Sequence, residues 1–360
     1  MQINNSFYKY LAIIIFFIIT GCAQPQSQLP TYNSQASVEE QKIQNQMFAD
    51  SWLKTYIDFA DIGIDILFEA SDLCIPEDHV YDIGLDVANR YDAPESIRSE
   101  VNKTLLLNEN LKVVAIGQKT PAAQIGLKKG DEIIRINDNP APSGTMANVE
   151  FYKLMRKNEA SNFDIIILRE QEEIEYSVVS KKRCKFNYAI DLDNNTFNAF
   201  ADGTNLVFSL RMAKWLLQDE IGAAIVFAHE LGHNANHHID DKIKNQQAGA
   251  IVGLLLGIAV GLPQDMMEMG AGIGANSYSI DYENEADYLS IYALALSGYD
   301  ISKAPNFWRR FAVEVPSSIY SGGGTHPSTS ERYVRLESYV KEIQEKIDSG
   351  EKPVPMYKED

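Results

Sequence analysis

The residues best placed to do chemistry are His229-Glu230-Leu-Gly-His233, which follow the apolar run Ile225-Val-Phe-Ala. Upstream, 213–217 and 221–227 carry apolar residues at helical spacing, so the motif is predicted to fall inside a helix. At ~100° per residue, His229 and His233 differ by only ~40° and leave that helix on one face. Two imidazoles so placed can share one tetrahedral Zn2+ per chain, with Glu230 beside them as base toward an attacking water. The bland alternative is a helix with incidental surface histidines.

A third ligand decides between classes of site. Ile239 stands six residues after His233, so an arrangement with a third histidine there fails. Further on, Asp281-Tyr-Glu283-Asn-Glu285-Ala-Asp287 opens the helical run 288–295. Glu283 and Asp287 are four apart and share a face, whereas Glu285 points away from both. Glu283 is expected as ligand and Asp287 as the acceptor that orients a ligand histidine. Taken alone, the same residues would read as a solvated acidic first turn favoured by the helix dipole. On a continuous helix His238 lies ~180° from His229 and reads as structural. His237 sits too far along the axis to ligate.

Together these residues resemble the HtpX-like zinc metallopeptidases, a gluzincin family that includes the CAAX prenyl proteases. The resemblance spans roughly 190–340 and rests on Asn198-Ala-Phe, His229-Glu-Leu-Gly-His233, Glu283-x-x-Ala-Asp287 and Thr325-His326-Pro327. It implies an edge strand at Asn198, Ala199 and Phe200 that pairs with extended substrate backbone. It also implies that His326 returns to the cleft and donates to the developing oxyanion. The family often carries an arginine shortly before the glutamate ligand, where this chain has Ile280-Asp281-Tyr282.

The middle of the chain reads differently. Val113 to Ile116 reads as a strand, Pro121 opens a short helix that Gly126 closes, and 132–137 alternates as a second strand. A helix near 146–157 and strands near 163–169 and 173–180 follow. Thr120-Pro-Ala-Ala with Gly126-Leu127 and Gly130-Asp131 resembles a PDZ domain, which implies a groove that takes an extended peptide along a strand edge. The alternative is a spacer whose groove is filled by the chain itself. The peptide-binding loop is left open between Gly84-Leu85 and Leu105-Leu106-Leu107.

These elements need an address. Leu11-Ala-Ile-Ile-Ile-Phe-Phe-Ile-Ile19 is about nine apolar residues, short of the roughly 20 of a membrane span, and reads as a signal-peptide core. Thr20-Gly21-Cys22 resembles a bacterial lipobox, which implies lipid on Cys22. In a Gram-negative cell the absence of Asp after Cys22 favours an outer-membrane lipoprotein facing the periplasm. The 360-residue chain carries 50 acidic against 32 basic residues, a formal charge of −18, which excludes nucleic acid as a partner. Three cysteines exclude a cysteine-rich metal framework. In an oxidising compartment Cys74 and Cys184 can pair across the middle segment, or remain two buried thiols.

The expected architecture is α+β: a mainly helical gluzincin-type peptidase with a small edge sheet, plus a β-rich PDZ domain. The expected boundaries are 1–21 signal peptide, 22–45 flexible tether, 46–95 helical linking segment, 96–182 PDZ, 185–347 peptidase and 348–360 tail. The apolar stretch 248–262 has Gly249, Gly253, Gly257 and Gly261 every four residues and reads as a buried hairpin helix, with a membrane-dipping element as the minority reading. The expected function is a lipid-anchored zinc endopeptidase acting on envelope proteins in quality control. The alternative is a chaperone-like or scaffold lipoprotein with gated or little hydrolysis.

Overall fold

The computed structural model describes residues 27, 30–241, 244, 280–320 and 327–357. The signal region with Cys22, the stretch 248–262 and His326 lie outside the described residues. The chain divides into two units, 1–44 and 45–360. In the first, the described residues are chiefly the opening of helix α1 (Ser34–Glu69). Part of the expected tether is therefore helical. Asn33 Oδ1 accepts from the amides of Gln35 (3.0 Å) and Ala36 (3.3 Å), a local start signal hidden in a polar stretch.

Within the second unit, α+β segregation is clear. Strands β1 (His79–Asp82) and β2 (Leu85–Ala88), helix α2 (Arg98–Leu105), strand β3 (Lys112–Ile116) and helix α3 (Pro121–Gln124) come first. Then follow β4 (Glu132–Ile136), β5 (Asn139–Pro140), α4 (Ala147–Met155), β6 (Asn162–Arg169) and β7 (Glu172–Val179). β2, β3, β4, β6 and β7 lie in that order in one antiparallel sheet, with β5 beside β4. Strand alternation buries Phe163, Ile165 and Ile167, and α4 lays Ala147, Phe151 and Met155 on them at spacings of four. Thr120 caps α3 by accepting from Ala123 N. The sheet takes in β2, upstream of the expected boundary at 96; the charged stretch between β2 and β3 folds as α2 and loops.

The second half holds β8 (Lys181–Cys184), β9 (Asn187–Asp191), β10 (Ala199–Ala201), β11 (Asn205–Ser209) and α5 (Leu210–Leu216). After these come α6 (Glu220–Ala235), α7 (Ile280–Leu296), α8 (Ala304–Glu314) and α9 (Thr329–Asp348). β10, β11 and β9 form a three-stranded sheet with β10 at one edge. Asp219 caps α6 and Ser328 closes a capping box on α9.

Several contacts fasten the six-stranded sheet to the helical half. β1 pairs with β8, and Cys74 is bonded to Cys184 with their Cα atoms 5.9 Å apart. Helix α1 touches both halves. A Cβ on Gly63 would lie 2.3 Å from the Phe227 ring of α6, while Asp61 Oδ1 accepts from Ile116 N at 3.0 Å.

Candidate metal centre

Helix α6 is buried on every side, so its polar residues are costly unless paired. His229, Glu230 and His233 are all buried on it. Facing them is α7, and Gly232 is what lets the helices meet: a Cβ there would stand 3.2 Å from Ala286 Cα. That close approach carries Glu283 and Asp287 to the two histidines.

His229 Nε2 and His233 Nε2 are 3.2 Å apart, and Glu283 oxygens lie 3.4 Å and 3.5 Å from them. A tetrahedral ion with bonds of ~2.1 Å spaces its ligand atoms by about 3.4 Å, so this triad fits zinc. The field fits as well. Burial and the Arg332 charge disfavour a cation on His229, yet Asp287 and Glu283 push its imidazole up to about 9. A pocket that favours positive charge this deeply suits a buried divalent ion.

Each histidine has its own support. His229 Nδ1 donates to Asp287 Oδ1 at 3.0 Å, and Arg332 of α9 holds that carboxylate with Nε at 2.8 Å from Oδ2 and with Nη2 on Oδ1. Burial opposes a charge on Asp287, but Arg332 keeps its carboxyl below the usual range. The Arg332 guanidinium in turn stacks 3.4 Å from the Trp308 ring centroid. On the other side, His233 Nδ1 lies 3.0 Å from His238 Nδ1, and His238 Nε2 lies 3.1 Å from Glu285 Oε2. The His238 ring stacks on Tyr282 with centroids 4.5 Å apart.

His238 corrects the helical-wheel expectation. α6 ends at Ala235, and His237 has φ 55°, so the chain turns and brings His238 back beside His233. His237 points elsewhere, with Nε2 2.9 Å from Asp78 Oδ2. Glu285 does point away from the metal, as expected, but toward His238. Arg332 had no local signal at all; it arrives from α9 and holds Asp287.

A cleft of about 230 Å³ opens beside His229 and Glu230, lined by Asn198 and Ala199 at the start of β10 and by Phe197, Met212, Trp308 and Phe311. Pro327 also lines it, one residue after His326. Phe200 is half exposed on the edge strand.

Residues 169–340 match the model of Peptidase family M48. No curated protein matches the chain. The matched region holds the buried His-His-Glu triad of zinc geometry, so residues 169–340 are similar to the zinc metallopeptidases of family M48 both in sequence and in the ligand set.

Proposed function

We propose that the protein is a lipid-anchored zinc endopeptidase of the bacterial envelope, cleaving envelope or periplasmic proteins in quality control, with a PDZ-like module for substrate recognition. The observation that carries the catalytic reading is the convergence of His229, His233 and Glu283 beside a cleft that also holds Glu230. Zinc bound by those three would polarise the scissile carbonyl and acidify a water.

The remaining work belongs to the chain. Glu230, next to a ligand and facing the cleft, takes the proton of the attacking water and returns it to the leaving amine. β10 offers its edge to an extended substrate, with Asn198, Ala199 and Phe200 setting register by backbone hydrogen bonds. His326, outside the described residues, would donate to the oxyanion, as the resemblance implies. The apolar cleft wall of Met212, Trp308 and Phe311 excludes water around the reacting bond and suits a large apolar substrate side chain. Asp287 fixes the His229 ring.

Export is supported by the Cys74–Cys184 bond, since such bonds persist in oxidising compartments. It closes a separation of 110 residues, and its loss would cost about 4–5 kcal/mol in the chain-entropy picture. Among the described residues no helix is long and apolar enough to cross a membrane. Lipid on Cys22 is the anchor in this reading. Cys22→Ser should move the protein out of the membrane fraction. Retention after a carbonate wash would point to 248–262 instead.

The test of mechanism is Glu230→Gln. It should keep zinc and the thermal melt while peptide hydrolysis falls by about 10²–10⁴. Unchanged turnover would remove Glu230 from the reaction. Proteomics of the envelope with the same variant should reveal accumulated substrates.

A further inference from the structure

The six-stranded sheet ends at β2, and between β2 and α4 lies a cavity of about 260 Å³. Leu85, Val87, Asn148 and Tyr152 form its inner walls, while Tyr56 of α1 and Tyr188 of β9 close it from the helical half. This is the place where a strand-adding peptide would lie.

Its polar groups are already engaged by the chain. The Val87 carbonyl accepts from Asn148 Nδ2 at 2.7 Å. Asp86 accepts the hydroxyls of Tyr56 and Tyr152, each at 2.9 Å, and that of Tyr188. These bonds clasp the edge strand to α1, α4 and β9. Just before β2, the consecutive amides of Ile83 and Gly84 point at one oxygen. They donate to Asp82 Oδ1 at 2.6 Å and 3.2 Å. The other oxygen, Asp82 Oδ2, receives Arg156 Nε at 3.1 Å from the C-cap of α4 and Arg183 Nε at 3.0 Å from β8.

Successive amides around a positive-φ residue make an anion nest, and Gly84 has φ 84°. Only glycine fits there, because a Cβ would meet Thr120 Cγ2 at 2.3 Å. A peptide's terminal carboxylate is the ligand such a nest takes at the head of a receiving strand. Here a buried carboxylate of the same chemistry fills it, held by two arginines from different elements.

We propose that Asp82 is a tethered occupant of this nest, and that a substrate's C-terminal carboxylate enters the β2–α4 groove only by displacing it. The proposal rests on the PDZ-like reading of the module. It makes the groove latched at rest: Asp82 blocks the nest, and the Asp86–tyrosine clasp keeps the groove's mouth against the helical half. A carboxylate attached one residue from the nest loses no translational freedom on filling it, so free peptides compete poorly.

The experiment uses the zinc-loaded mature chain and a fluorescent hexapeptide with an apolar last residue, as the free acid and as the C-terminal amide. Wild type should bind both weakly and equally by anisotropy. Asp82→Ala should bind the acid at least 10-fold tighter than the amide, and millimolar acetate should raise its melting temperature but not that of wild type. Arg156→Gln loosens Asp82 without emptying the nest and should show the same acid preference at a smaller, 2–5-fold level, which serves if Asp82→Ala does not fold. A wild type that already prefers the acid 10-fold would overturn the proposal, as would folded variants with neither acid preference nor acetate stabilisation. Acetate stabilisation of Asp82→Ala without peptide binding would support Asp82 as the nest's occupant and overturn the peptide-recognition reading on which its displacement depends.

Discussion

His229 and His233 leave the same helix one turn apart, yet the protein holds them by different means. Behind His229 is a buried carboxylate locked by a buried arginine, the Asp287–Arg332 pair. Behind His233 is a second imidazole ring, His238, backed by Glu285, whose side chain is 45% exposed. One side ends in a desolvated ion pair and the other in a relay that reaches solvent. A buried pair is strongly felt when half of it is removed, because the remaining charge has no substitute partner. A relay ending at the surface can be repaired by water. The difference teaches that one metal site can combine a rigid wall with a compliant one, and the expected effects of mutation should follow that order.

The largest effects should come from the ligands themselves, which both sides serve. His229→Ala, His233→Ala and Glu283→Ala should each leave purified protein with less than about a tenth of its zinc, read by metal analysis after dialysis. Glu285→Ala should retain it. If Glu285→Ala empties the site and Glu283→Ala does not, the third ligand is misassigned and the comparison collapses.

Next comes the rigid wall. Asp287→Ala strands the Arg332 guanidinium in a buried site and should cost about 3–5 kcal/mol in denaturant melts. It should also weaken zinc binding by about 10–100-fold in chelator competition. Asp287→Ala combined with Arg332→Met should recover most of the stability while zinc binding stays weak. Recovery of both together would mean that Arg332, rather than the bond to His229, sets the affinity.

How much of this was legible follows from how local each signal is. The His229–His233 spacing and the Glu283–Asp287 spacing are i to i+4 relations, and both landed on helices that bury those faces. Alternation in the middle segment likewise placed β3, β4, β6 and β7 close to where they stand. His238 was lost because a wheel assumes a continuous helix, whereas Asn236 caps α6 and His237 adopts positive φ. The signal was there in principle, since Asn236 and two following histidines are poor helix-interior residues. Arg332 could not be found by spacing, because its partner is 45 residues away in sequence. Gly84-Leu85 is one of the two places the sequence leaves open for a peptide-binding loop, but the arginines beside it come from the residue that ends α4 and from β8, and no periodicity joins those.

On the compliant side, His238→Phe keeps the ring that stacks on Tyr282 and deletes both hydrogen bonds. The variant should melt within a few degrees of wild type and weaken zinc binding by about 10-fold, the lower end of what such partners contribute. Cobalt substitution gives a readout that folding alone would not move: the visible spectrum should shift as the His233 ring loses its fixed orientation. His238→Gln, which can still accept and donate, should restore part of the affinity. A 100-fold loss in His238→Phe with a normal melt would make the two sides equals.

The smallest effect should belong to Glu285→Gln. The side chain stands half in solvent, so its charge is screened, and exposed pairs of this kind contribute about 0–1 kcal/mol. The amide oxygen can still accept from His238 Nε2, leaving only the charge to lose. Zinc affinity should fall no more than about 5-fold at low salt. The loss should shrink in 1 M salt, where the Debye length is about 3 Å. Asp287→Asn makes the same chemical change on the buried side, where neither water nor salt can compensate, and should cost more and show little salt dependence. Equal, salt-independent losses in the two isosteric variants would show that Glu285 is electrostatically as buried as Asp287, and that the site has two rigid walls.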